Sequence, residues 1–177
     1  MAKLVSKTYG DALFDLALEQ NSVDALTKEV EALKEVLASN DELTKFINHP
    51  KVSKEEKIDV IEKSLKGSFS DTVVGFLVIV LQKGRFDEIN AILNHYMDRY
   101  LDYKNIGVAT VTSAITLNDE QKAKIEKKLL ATTKYEEFQM TYTVDKSLIG
   151  GIMIRIGDRI VDNSIKNQIR SMTKALV

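Results

Sequence analysis

The sequence predicts an α+β fold in two parts, an N-terminal six-helix bundle over 1–104 and a small mixed α/β domain over 105–177. Three observations carry that prediction. Apolar residues recur at helical spacing up to about residue 104, and alternating, β-branched segments begin after Asn105. The charge changes sign at the same place: 14 Lys+Arg face 18 Asp+Glu over 1–104, and 11 face 8 over 105–177. A single Pro and eight Gly in 177 residues leave room for long regular elements and few elaborate loops.

The first helix is expected over 4–20. Val5, Tyr9, Ala12, Leu13 and Leu16 form its stripe, and Phe14, Ala17 and Leu18 widen it beyond the usual arc of about 100°. A second is expected over 23–38, with Leu26, Val30, Leu33 and Leu37 on one face. Asn40 or Asp41 caps a short third helix, which turns Leu43, Phe46 and Ile47 inward and ends at His49-Pro50, because the residue before Pro is pushed out of helical geometry. Ser53-Lys54-Glu55-Glu56 is a capping box that opens a fourth helix with Ile58, Ile61 and Leu65 inward. The fifth, over 70–83, contains the run Val73–Leu81. Its β-branched residues suit a strand, but its length and helical neighbours favour a helix. Being apolar all round, it must be central or covered by a partner. After Gly84-Arg85-Phe86 a sixth helix is expected over 87–102, with Ile89, Ile92, Leu93, Tyr96, Met97 and Tyr100 inward.

Residues 107–117 read as a strand, and Asn118–Gln121 as a second capping signature. The helix it opens carries Ile125, Leu129 and Leu130, with Lys122, Lys124, Lys127 and Lys128 around the outside. Further strands are expected over 137–144 and 147–156, the latter with a bulge at Gly150-Gly151. Gly157-Asp158 turns into a short return strand over 159–161, and a last helix is expected over 164–176. A domain of the C-terminal size is near the limit of what one core stabilises, so it is expected to be looser than the helical part.

Several function classes are disfavoured. Without Cys there is no disulfide, thiolate nucleophile or zinc-thiolate site. His49 and His95 stand in no metal-binding spacing, and no phosphate loop or Gly-x-Ser-x-Gly elbow occurs. No metal, cofactor or catalytic residue is therefore expected. A net charge of −1 lacks the footprint of a nucleic-acid binder, and the lysines over 122–128 have no aromatic residues interleaved for base stacking. Asp145, Asp158 and Asp162 flank turn residues and are expected to shape those turns. The N-terminus lacks a secretory leader pattern, and the nine apolar residues of Val73–Leu81 fall far short of the roughly 20 that span a bilayer. The chain is expected to be soluble, reaching a membrane only through a partner. From the residues alone it is an interaction protein, and an adaptor of any multiprotein assembly fits.

Four stretches narrow the choice. Tyr9-Gly-Asp-Ala-Leu-Phe14 resembles the Tyr-Ala-x-Ala-Leu-Phe opening of the delta subunits of F-type ATP synthases, relatives of the mitochondrial oligomycin-sensitivity-conferring protein. Phe46-Ile-Asn-His-Pro50 with Lys57, and Phe76-Leu77 through Leu81 with Gly84-Arg85, resemble two internal segments of that family. Val144-Asp-Lys-Ser-Leu-Ile-Gly-Gly151, Ile154-Arg-Ile-Gly-Asp158 and Val161-Asp-Asn-Ser164 resemble its C-terminal signature, with Asp145, Gly150, Gly151, Gly157, Asp158, Asp162 and Ser164 as the marked positions. The likeness runs in order along nearly the whole chain. Gly10, where the family usually has Ala, and Gly75, near a frequent Asn, depart from it.

The resemblance implies a non-catalytic stator subunit that joins the catalytic head to the peripheral stalk of a proton-driven ATP synthase. It implies that the helical domain receives the N-terminal helices of alpha subunits, and that the C-terminal domain receives b-type stalk subunits. It also implies a place peripheral to the bacterial plasma membrane, on the cytoplasmic side. The family's groove lies between the two helices that are over-apolar here. Tyr9, Ala12, Leu13, Leu16, Val73, Phe76, Leu77 and Val80 are its candidate lining, divided between groove and core.

Overall fold

The computed structural model describes residues 2–175 apart from 48, 50 and 51. Its architecture is α+β, and its contacts divide it into two compact units, Met1–Tyr100 and Leu101–Val177.

The first unit is helical. Its elements are α1 (Ala2–Glu19), α2 (Val23–Ser39), α3 (Asp41–Ile47), α4 (Lys54–Leu65), α5 (Asp71–Gln82) and α6 (Ile89–Tyr103), the last running on into the second unit. Local chemistry sets several of the starts. Asn40 Oδ1 accepts the Leu43 N–H ahead of α3. Ser53 Oγ accepts from Glu56 N at 3.2 Å while Glu56 Oε2 accepts from Ser53 N at 3.0 Å, a reciprocal pairing of two otherwise orphaned donors. Ser70 caps α5 through the Val73 N–H, and the Ser70 N–H donates to Glu29 of α2. At the other end of α5, Lys54 Nζ donates to the Gln82 carbonyl, placing a cation where the helix dipole is negative. Buried apolar residues from all six helices meet in one core. Leu13, Phe14 and Ala17 come from α1, Val30 and Leu33 from α2, Ile47 from α3, Ile61 from α4, Val73, Leu77 and Val80 from α5, and Ile92, Leu93 and Tyr96 from α6.

Some details differ from the sequence reading. Phe86–Glu88 forms a turn of 3-10 helix, so α6 starts at Ile89 rather than 87. This turn buries Phe86, which a helix started at Asp87 leaves unplaced. Phe46 is exposed at the edge of α3, where Ile47 is buried in the core and Leu43 packs against it. The break assigned to Pro50 lies outside the described residues.

The second unit is a four-stranded sheet in the order β2-β1-β3-β4, made of β1 (Ile106–Ser113), β2 (Glu137–Val144), β3 (Ile152–Ile156) and β4 (Arg159–Asp162). β1 and β2 pair in parallel across α7 (Asp119–Thr132), while β3 is antiparallel to both β1 and β4. Asn118 and Gln121 form the capping box at the start of α7. Ile125 and Leu129 of α7 pack on Ala109, Phe138, Met140, Ile154 and Ile156. α8 (Ile165–Ala175) closes the described chain.

The strand expected over 147–156 begins only at Ile152. Lys146–Leu148 is a 3-10 turn, started by the Asp145 carboxylate accepting the Ser147 N–H, and Leu148 is buried beneath it. The glycine pair lies in the loop before β3 and is not a bulge within a strand. Likewise β1 stops at Ser113, whose hydroxyl donates to the Ile115 carbonyl and turns the chain.

Candidate functional site

Two regions gather the residues singled out by sequence, one in each unit. In the helical unit α1 and α5 meet where Thr72 Oγ1 donates to Gln20 Oε1. Along the same flank of α1, Leu16, Ala12, Tyr9 and Val5 follow Gln20 at helical spacing; on α5, Phe76 and Ile79 follow Thr72. Leu13, Val73, Leu77 and Val80, four of the eight candidate lining residues, are sunk in the core and support this surface from beneath. Phe76 is buried at 8% exposure, Tyr9 is half-buried, and Ala12 and Leu16 are exposed. The sequence reading passed over Ile79, which is 50% exposed in the middle of α5. Helical spacing puts 72, 76 and 79 on one flank and 73, 77 and 80 on another, but only the packing shows that the second is the core side.

The opposite flank of α1 is tied to α6. Asp11 pairs with His95 Nε2 at 2.9 Å and with Arg99 Nε at 3.2 Å, and the Arg99 guanidinium lies over the Phe14 ring. A Cβ added to Gly10 would lie 2.8 Å from His95 Cδ2 and 3.1 Å from the Ile92 carbonyl oxygen. The family's Ala is therefore replaced here by a residue that lets the two helices approach closely. Deeper in the unit, Thr27 Oγ1 donates to the Val23 carbonyl, so the Tyr96 hydroxyl donates to Thr27 at 3.2 Å. Burial pushes the Tyr96 pKa up and keeps the hydroxyl a donor. His95 is thus spoken for by a helix-to-helix contact.

In the second unit the signature residues make a clasp. Asp145 accepts the Ser147 N–H at 2.9 Å and the Ser147 hydroxyl at 3.0 Å, and Lys166 Nζ donates to the same hydroxyl. Asp162 accepts the Ser164 N–H, and Ser164 Oγ caps α8 through the Asn167 N–H. The Ser147 N–H and hydroxyl hold the Asp145 carboxyl below its ordinary pKa, and Ser164 does the same for Asp162. Between these two turns the Ile165 N–H donates to the Gly150 carbonyl. Gly151 has φ +77°, and a Cβ there would lie 2.3 Å from the Asn163 carbonyl oxygen. Only glycine satisfies both constraints. Gly157 and Asp158 form the two-residue turn joining β3 to β4. The signature thus fixes where α8 leaves the sheet. α8 itself exposes Ile165, Ile169 and Met172 along one stripe.

Neither region brings together a nucleophile, base and orienting group, and among the described residues no cluster of His, Cys, Asp or Glu is arranged to hold a metal ion. No helix is long and apolar enough to cross a membrane among those residues.

Comparison with known proteins agrees in extent and in kind. The family model for the ATP synthase delta (OSCP) subunit matches residues 5–176. ATP synthase subunit delta of Lachnoclostridium phytofermentans is 54% identical, over 99% of this chain and 97% of its own length. The protein of the same name from Acetivibrio thermocellus is 33% identical over 99% and 98%. A chain of the Toxoplasma gondii mitochondrial ATP synthase hexamer has the same fold, with a TM-score of 0.75 over 97% of this chain and 96% of that one, at 17% identity. The chain belongs to the ATP synthase delta (OSCP) subunit family, whose members are non-catalytic and link the catalytic head to the peripheral stalk.

Proposed function

We propose that each unit of this linker has its own partner. The helical part, residues 1–104, works as a six-helix bundle that receives the amphipathic N-terminal helices of alpha subunits between α1 and α5. The C-terminal part, residues 105–177, receives b-type stalk subunits. The assembly is peripheral to a bacterial plasma membrane on its cytoplasmic side, and the membrane is reached only through the other subunits.

The observation that carries this reading is the α1–α5 flank. Tyr9, Ala12, Leu16, Phe76 and Ile79 give it an apolar lining, and Leu16 and Ile79 are open to solvent. A guest helix with anchors at i, i+3, i+4 and i+7 needs such a trough. The core residues Leu13, Val73, Leu77 and Val80 hold the two helices in place beneath it. A stator must stay attached under load, so slow dissociation matters more than fast association. Two contacts made through one chain add avidity, because the second partner then binds at an effective concentration on the order of mM.

Two experiments test the reading. Purification of the intact complex from membranes should recover this chain with alpha, beta and b-type subunits, and its absence from that complex would sink the proposal. A peptide of the alpha N-terminus should bind the full chain, and Leu16→Glu and Ile79→Glu should weaken it at least tenfold with the fold unchanged. Unchanged affinity in both variants would remove the α1–α5 flank as the site.

A further inference from the structure

The sheet of the C-terminal unit is only half covered. A crossover helix lies over the two parallel strands it connects, so α7 covers β1 and β2. Apart from the packing of Ile154 and Ile156 against the α7 cluster, nothing in that connection covers β3 and β4, and their same-face residues other than Arg159 are apolar: Ile152, Ile154 and Ile156 of β3 and Val161 of β4. The result is a trough between α7 and the β3–β4 hairpin. It holds a pocket of about 210 Å³ lined by these four residues, by Ile125 and Leu129 of α7, and by Lys128, Thr132 and Asn163. The space accommodates one or two leucine-sized side chains. A second, more polar depression continues it past Thr132 and Ile156 to Lys134, Asp158 and Arg159.

The charges around this trough are mainly positive. Lys124 and Lys128 lie one turn apart on the exposed side of α7, Lys134 and Arg159 stand at the far end, and Asp158 is the one acid lining either depression. The floor offers side chains rather than free backbone edges, which favours a helix over an added strand. Uncovered apolar floors in small domains are recognition surfaces, and a charged rim sets orientation and partner choice.

We infer that this trough is the stalk-binding surface, and that its occupant is an amphipathic helix with bulky apolar anchors and an acidic flank. This rests on the reading that the C-terminal unit receives the stalk and names the surface and the chemistry of that contact. The exposed Ile165, Ile169 and Met172 stripe of α8 is the rival surface on the same unit.

The test uses the full chain and a fluorescently labelled peptide of the C-terminal helical segment of the same organism's b-type subunit. Val161 is 55% exposed, so Val161→Asp alters the trough without disturbing a core. Val161→Asp, and Lys124→Glu with Lys128→Glu, should each weaken binding at least tenfold. The double charge variant should also flatten the salt dependence, and Ile169→Asp should bind as the unaltered chain does. Trough variants that bind normally would overturn the inference, most pointedly if Ile169→Asp alone lost binding, and the stalk reading would survive. An unaltered chain that binds no stalk peptide, or binds anionic phosphatidylglycerol vesicles through the trough instead, would overturn both.

Discussion

The two units are held together in different ways. Among the described residues the helical unit buries 22 apolar residues in one cluster, whereas the C-terminal unit's cluster has three, with partly buried neighbours around it. The second unit relies instead on strand ladders, on the turns at Asp145 and Asp162, and on the Gly150-Gly151 contact with the start of α8. It also leaves Val144, Ile149, Ile160, Val161, Ile165, Ile169 and Met172 exposed. A large core stabilises its unit whatever is bound to it. A small core with uncovered apolar surface gains much of its stability from its partner. The difference predicts a self-sufficient helical platform and a C-terminal module whose stability depends on its partner.

The largest effect that could break this contrast is in the helical core. Tyr96→Ala removes a fully buried ring, its edge-on contact with Phe14 and its hydrogen bond to Thr27. A loss of about 3–5 kcal/mol is expected from the helical unit. Denaturant melts followed by α-helical circular dichroism should show it, with the C-terminal unit's tyrosine signals unmoved. Next is Gly151→Ala. A left-handed φ in a residue other than glycine is destabilising by about 1–3 kcal/mol, and the methyl group also meets the Asn163 carbonyl. With so small a core the C-terminal unit should lose its cooperative transition, while the helical unit melts as before. Equal damage to both units would show that they are not separately stabilised.

A smaller, graded effect comes from acid. Asp145 and Asp162 have carboxyl pKa values below the ordinary one in the folded chain. A depressed folded pKa means that the stabilisation is fully present above the unfolded value and fades as pH falls through the folded value. The C-terminal unit should therefore lose stability as the pH drops below the ordinary aspartate range. In Asp145→Asn with Asp162→Asn that pH dependence should shrink, as measured by the midpoint of the C-terminal transition between neutral and acid pH. The smallest effect on stability belongs to the open flank of α1 and α5. Leu16→Ala and Ile79→Ala should each change the stability of the helical unit by less than about 1 kcal/mol, since both side chains are partly in water already.

Much of the fold was legible in the sequence because local chemistry marked it. The Ser53 and Asn118 capping boxes give the starts of α4 and α7, and alternation gives β1 and β2. The choice of a helix for Val73–Leu81 agrees with the structure despite its β-branched residues. What pattern could not supply was tertiary. In a helix that is apolar all round, period alone does not say which side a neighbour covers. Val73, Leu77 and Val80 therefore looked the same as Phe76 and Ile79 until α1 was in place. Leu148 and Ile149 read as strand because the burial of Leu148 and the turn geometry of the pair depend on Asp145, a contact that period does not encode. Nor does any single segment announce the trough, which exists only because α7 covers half of a sheet assembled from four separate stretches.

The most direct test of the contrast is amide hydrogen exchange on the free full-length chain, repeated with the stalk peptide bound. Amides of α2, α5 and α6 should exchange slowest in both states. Those of β3, β4 and α8 should exchange markedly faster in the free chain and slow by at least tenfold on binding. Equal protection of the two units in the free chain, unchanged by the peptide, would contradict the account.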